Sequence, residues 1–363
     1  VPGGAALVAA LSVLLGCTFS DHVHTVSTDS IALSLGVMTV VSWLWYSRTE
    51  FKRAFLVTVV LAVTTIFVRP AYLFLIPWLA LAGWFSPWLN ASKGEHRISL
   101  RQRLRGGWMA GVIALVVLCW MGSRLVVVGE FGLLPFGHQN LSGILVQTVT
   151  QDELLELAES ASDSHPEAAQ LAGAVALQLQ WMDFETPSDS SGLPTMTMES
   201  QWDDLNYRVV WPTAKKLIEG KENDSSRTPA AIDEHRMIGG LNRMIVARYP
   251  QRYLRWLALA ARRAVWGTAA DILMHPVFLL TFVVGLLWWL VKLVAAPARY
   301  RLAMGAGWRA FCWIGMTYWI AKVGFVILSS PPLGRFADAA AVFLPAIVIG
   351  TLLQIEREPQ AQP

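Results

Sequence analysis

The residues of this sequence that offer chemistry stand at the edges of its apolar runs. From Ala54 to Asn90 the chain is almost unbroken apolar sequence, and the one charge in it is Arg69, followed at once by Pro70. An arginine at mid-bilayer costs about 2.5–3.5 kcal/mol even on lenient scales. The pair therefore reads as a turn at a membrane surface, with one helix ending at Arg69 and Pro70 opening the next. Arg335 stands in a comparable turn, Ser330-Pro331-Pro332-Leu333-Gly334-Arg335-Phe336. The planar guanidinium fork grips phosphate bidentately. Its plainer uses are reaching out to headgroups or pairing with a nearby acid.

Three further groups carry polar chemistry. The stretch Asp21 to Ser30 holds Asp21, His22, His24 and Asp29. The first three are weak candidates for a divalent cation, because histidines at i and i+2 point apart on a regular backbone. Asp29 stands at the start of an apolar run, either as a helix cap or as a functional carboxylate. Gly132 to Gly143 carries His138, Gln139 and Asn140 just beyond an apolar run. These residues suit sugar hydroxyls, or belong to a plain connecting loop. Arg252 and Arg255 lie among Arg243, Arg248, Arg262 and Arg263, interleaved with Leu, Ile, Trp and Tyr. A basic helix with aromatic residues that runs into an apolar span is the pattern of an interfacial helix among anionic headgroups.

The elements that must position these residues follow from composition. The chain has 363 residues, 54% hydrophobic and 15% charged, with 17 Trp. Soluble domains average about 25% charged residues, so the expectation is an all-α integral membrane protein. Apolar runs place about eight transmembrane helices at 3–19, 30–46, 53–68, 71–89, 107–128, 272–294, 306–328 and 337–354. Basic connections at 47–53, 90–106 and 292–305 alternate with poorly basic ones, which puts both ends of this chain on the cytoplasmic side. Three domains result: an N-terminal five-helix bundle (1–128), a mainly helical extracytoplasmic domain ending in the basic helix (129–271), and a C-terminal three-helix bundle with a short tail (272–363). Within the middle domain no Lys or Arg occurs from Leu125 to Tyr207, and the sign reverses after Arg208. No long basic run points to nucleic acid. Cys17, Cys119 and Cys312 fall inside apolar runs and read as packed thiols.

Taken together, several stretches resemble the GT-C superfamily of lipid-linked-sugar glycosyltransferases, which includes the protein O-mannosyltransferase and aminoarabinose-transferase-like families. They are Thr28-Asp29 at the end of an outer loop, Val68-Arg69-Pro70, Phe136-Gly137-His138-Gln139-Asn140-Leu141-Ser142-Gly143, Tyr249-Pro250-Gln251-Arg252-Tyr253-Leu254, and the late Arg335-Phe336. The resemblance implies a bacterial inner-membrane enzyme that moves a sugar from a polyprenyl-phosphate carrier to a glycan, lipid or protein acceptor on the outer face. Arg69, Arg335, Arg252 and Arg255 would hold phosphate. Asp29 matches a supporting acidic position. Members carry their catalytic acid in an outer loop after the first membrane helix. The chain opens at Val1 inside apolar sequence, so either that loop is expected upstream of it or the chain is a divergent member. A polysaccharide polymerase or ligase, a transporter and a non-enzymatic membrane scaffold are the alternatives.

Overall fold

The computed structural model describes residues 28–90, 100–134, 137–182, 188, 190, 192–194, 196, 200–219, 230–274, 276–295, 300–302, 305–332, 340–352 and 355–357. Nearly all of these are helical. The expected run at 3–19 lies outside them, as do Asp21, His22, His24 and Arg335.

The first apolar runs give α1 (Thr28–Thr49) and α2 (Lys52–Val68), which pack along one another. The break at Arg69 falls where the Arg-Pro pair put it. Arg69 caps α2 in an extended conformation, its N–H donating to Thr65 O at 2.9 Å. Pro70 does not start an α-helix directly. It opens a single 3-10 turn, Pro70–Phe74, which then widens into α3 (Leu75–Asn90). Next comes α4 (Leu100–Val128), which begins seven residues before the expected span and takes in the basic segment ahead of it.

The middle of the chain forms α5 (His138–Val146), α6 (Gln151–Ser160), α7 (Pro166–Trp181), α8 (Ser200–Asp204), α9 (Trp211–Glu219), α10 (Ala230–Arg248) and α11 (Pro250–Met274). Between α8 and α9 the helix widens into a π-turn, Leu205–Val210, in which Trp211 N–H reaches back to Asn206 O. The C-terminal part holds α12 (Pro276–Ala295), α13 (Ala306–Val326) and α14 (Leu344–Leu352), with a short antiparallel pair, β1 (Tyr300–Leu302) and β2 (Ile355–Arg357). Of the run expected at 337–354, the described residues 340–352 include the nine-residue helix α14.

The chain divides into two compact units. The first is Val1–Cys119 with Val265–Gly324 and Gly334–Pro363; the second is Trp120–Ala264 with Phe325–Leu333. Among the described residues, two helical stretches are long and apolar enough to cross a membrane, Asp29–Thr49 and Arg103–Val128. Pro70–Phe85 and Phe278–Val291 are shorter apolar stretches. On α12, Leu280, Val284, Leu287, Val291 and Val294 recur at helical spacing and are each more than half exposed. Cys119 is exposed rather than packed, whereas Cys312 is half-buried beside Thr351.

The core of the first unit is aromatic. Tyr318 lies edge-on to Phe74, Trp78 and Phe343, and Trp78 Nε1 donates to Thr317 Oγ1 at 3.2 Å. Helices α3 and α4 touch backbone to backbone at Gly83 and Gly106. A Cβ on Gly83 would stand 2.6 Å from Gly106 N. The second unit closes over an aliphatic core of Leu, Ile, Val and Ala side chains from α5, α6, α7, α9, α10 and the π-turn.

Candidate functional site

In the first unit the antiparallel run of α1 and α2 brings the start of one helix to the end of the other. Asp29 sits in the first turn of α1 and Arg69 follows the last turn of α2, and the two form an ion pair. Each charge also opposes the partial charge of its own helix end, which favours an acid at an N-terminus and a cation at a C-terminus. The pair is mostly buried, with side chains 15% and 19% exposed for Asp29 and Arg69. One 3-10 turn further on, Tyr72 is fully buried, and Lys322 Nζ donates to its Oη at 2.8 Å while lying over its ring. Asp29, Arg69, Tyr72 and Lys322 therefore form one polar group inside an otherwise apolar unit. Within this group Asp29 is paired with Arg69, and Lys322 is held on Tyr72. Lys322 is a site residue that residue patterns did not single out. Its signal was being the lone charge of the apolar run Cys312 to Phe336 before Arg335.

In the second unit His138, Gln139 and Asn140 are not part of an open loop. Gly137 adopts φ 127°, a region favouring glycine, and turns the chain into α5, so the three residues form its first turn. Gln139 is buried. Asn140 O accepts from Trp202 Nε1 at 2.8 Å, and Asn140 Nδ2 reaches Ser330 Oγ at 3.5 Å. His138 O accepts from Asn242 Nδ2 at 2.7 Å. The His138 ring fits against Gly239 of α10, where a Cβ would lie 2.6 Å from it, and stacks on His235 with centroids 4.2 Å apart. His235 Nε2 in turn stands 3.0 Å from a Glu130 carboxylate oxygen, and Arg124 Nη2 approaches the same carboxylate at 3.4 Å. Burial holds both imidazoles below the ordinary histidine range. The proximity of His235, then Arg243, adds to this for His138, and Arg124 adds to it for His235. Arg124 lies within the run expected at 107–128. It stands one turn before the end of α4 and also donates to Gly132 O at 2.8 Å.

Arg252 has its partner within this unit. Its two terminal nitrogens donate to the two oxygens of Glu153 at 2.7 and 2.8 Å, and one of them donates to Thr148 O at 2.9 Å. The guanidinium also lies over the Tyr249 ring, 4.4 Å from its centroid. Glu153 completes a capping box with Thr150 at the start of α6. Desolvation works to raise the Glu153 carboxyl, but the Arg252 hydrogen bonds, the Thr150 contacts and the Arg252 charge outweigh it and hold the group low. The bidentate pair with Glu153 gives Arg252 a structural use within this unit. Arg255 is exposed, as are Arg262 and Arg263 further along α11. Among the described residues, no cluster of three or more His, Cys, Asp and Glu side chains is arranged to hold a metal ion. No family model, curated protein or solved structure matches the chain.

Proposed function

We propose that the chain is a multi-pass membrane glycosyltransferase of the GT-C kind, moving a sugar from a polyprenyl-phosphate carrier to an acceptor hydroxyl at the extracytoplasmic face. The membrane part of this reading is supported by the two apolar helices of spanning length and by the exposed aliphatic stripe of α12. The observation that carries the catalytic part is the Asp29–Arg69 pair with Lys322 beside it across Tyr72. In such a transfer the acceptor oxygen forms a bond to the anomeric carbon as the bond to the phosphate oxygen breaks. The leaving carrier phosphate gains negative charge, and the acceptor proton passes to a carboxylate. Arg69 and Lys322 offset the charge on the leaving phosphate. Asp29 fixes the guanidinium. Arg335 is the second arginine of this reading.

The test is transfer in proteoliposomes holding a labelled polyprenyl-phosphate sugar. Arg69→Ala is expected to lose transfer by about 100-fold or more, and Arg69→Lys most of it, because the bidentate fork is gone. Asp29→Asn keeps the shape and removes the charge, and an intermediate loss is expected. Unimpaired transfer in Arg69→Ala, in protein whose helix content and melting match wild type, rejects the phosphate role. Extension of an acceptor chain by many sugars would favour a polymerase. Passage of substrate across the bilayer with no covalent product would favour a transporter, for which buried Lys322 is the group to mutate.

A further inference from the structure

We propose that the His138–His235 stack is a proton-operated latch that holds the first turn of α5 against α10 when both rings are neutral and releases it when they are protonated. The proposal is independent of sugar transfer. A carboxylate stands 3.0 Å from His235 Nε2, so Nε2 carries the proton of the neutral ring. Nδ1 is then a bare acceptor, and it is buried with no hydrogen-bond partner. A proton arriving at His235 must go to Nδ1. It would create a buried N–H with no acceptor, and such a group is costly. The His235 side chain is only 10% exposed, so water does not supply that acceptor while the latch is closed.

The stack opposes the second proton as well. Two imidazolium rings with centroids 4.2 Å apart repel one another directly. The charges facing them are Arg124 from α4, Glu130 from the turn after it, and Arg243 from α10. Glu130 alone favours the protonated pair, and its carboxylate is shared with Arg124. Of the other charges near the latch, Arg236 is turned to Gly129 O at 2.8 Å, and Asp204 beyond α5 is paired with Arg208. The balance around the rings is thus cationic, in keeping with the lowered proton affinity of both.

What the latch fastens is the start of α5. The His138 ring is seated on Gly239 at a distance that admits no other side chain, and Asn242 Nδ2 holds the His138 carbonyl. Both contacts join α5 to α10. If the rings must separate to accept protons, Gln139 and Asn140, one and two residues along, are released with them. The group that binds tighter in the open state is the proton itself. Each proton taken up shifts the open population tenfold per pH unit, so two shift it up to 100-fold per unit in the window between the open-state and closed-state affinities. The sign follows from the lowered affinities: the latch is fully closed above the ordinary histidine range and opens as pH falls below it.

The experiment is amide hydrogen exchange of the full chain in nanodiscs between pH 7.5 and 5, corrected for intrinsic exchange. Segments 138–146 and 232–243 are read against α7 as internal control. Wild type is expected to gain at least tenfold in exchange per pH unit below about 6.5 in those two segments, with α7 unchanged. His138→Phe keeps a stacked ring without a titrating nitrogen, and His235→Gln keeps a donor to Glu130; either is expected to flatten the pH response. A wild-type response absent across this range overturns the proposal, and so does the same response persisting in both variants. Should one variant fail to fold, the other and the wild-type profile decide the matter.

Discussion

Removing Arg252 tests whether the second unit is held together by an ion pair that joins its acidic and basic sequence halves. Three hydrogen bonds, at 2.7, 2.8 and 2.9 Å, and the contact with the Tyr249 ring go with the side chain. Hydrogen bonds to charged groups are worth about 1.5–3 kcal/mol each when well shielded. Here the side chains are 20% and 23% exposed, so solvent reduces them. Arg252→Ala should cost about 2–3 kcal/mol, much of it from leaving Glu153 without its partner. For a unit of this size that is a fall in melting temperature of roughly 4–12 °C. The assay is thermal unfolding of the full chain in detergent, with amide exchange of 151–160 locating the loss. Glu153→Ala and the double variant complete the cycle, and the coupling should exceed about 1 kcal/mol. The pH dependence has a definite sign. Glu153 titrates below its ordinary value in the folded chain, so its contribution is complete above the unfolded-state value and is lost as pH falls through the folded one. Additive single losses, or an Arg252→Ala loss below about 0.5 kcal/mol, would refute the reasoning.

Two further outcomes can be checked on the same preparation. Gly106→Ala puts a Cβ within 2.5 Å of Gly83 Cα, where backbone cannot yield, and should cost about 1–3 kcal/mol or more. Gly107→Ala and Gly111→Ala, on the same helix with open space at their Cβ positions, should be neutral in the same melt. Trp202→Phe removes the indole donor to Asn140 O inside a fully buried site and should cost about 1–3 kcal/mol, read as faster exchange in 138–146.

Local chemistry was legible in the sequence wherever neighbours in the chain decide it. The end of α2 at Arg69 and the new helical turn opened by Pro70 follow from residues a few positions apart. The sequence-level reading lost accuracy where partners are distant. Arg252 and Glu153 are 99 positions apart, and the same arginine read locally looks like a ligand for phosphate. The excess of acid before Tyr207 and of base after Arg208 could have signalled mutual pairing. His235 sits in the run Asp233-Glu234-His235-Arg236, where one more polar residue attracts no notice. Glu130 and Arg124 were overlooked because apolar valines separate them and the span was drawn through both the valines and the arginine. The helical start of α5 was missed because Gly132, Pro135 and Gly137 promise only turns, while the positive φ of Gly137 delivers the chain directly into a helix.

The π-turn at Leu205–Val210 has a consequence for how this chain tolerates change in length. In an unbroken α-helix, side chains nine positions apart point about 180° from each other. Trp202 and Trp211 are nine apart, yet both indoles donate inward, to Asn140 O at 2.8 Å and to Glu234 Oε2 at 3.0 Å. The wider turn absorbs the difference, as a single inserted residue does. The rod from Ser200 to Glu219 thus carries a fixed phase between its two anchors. Losing one residue of the turn, such as half-exposed Tyr207, would close it into an unbroken α-helix with the two anchors still in phase, whereas losing two would turn one tryptophan about 100° away from its acceptor. Homologues of this unit should therefore vary in length in the connections flanking the rod, and between the two tryptophans differ by no more than the one residue that the turn absorbs.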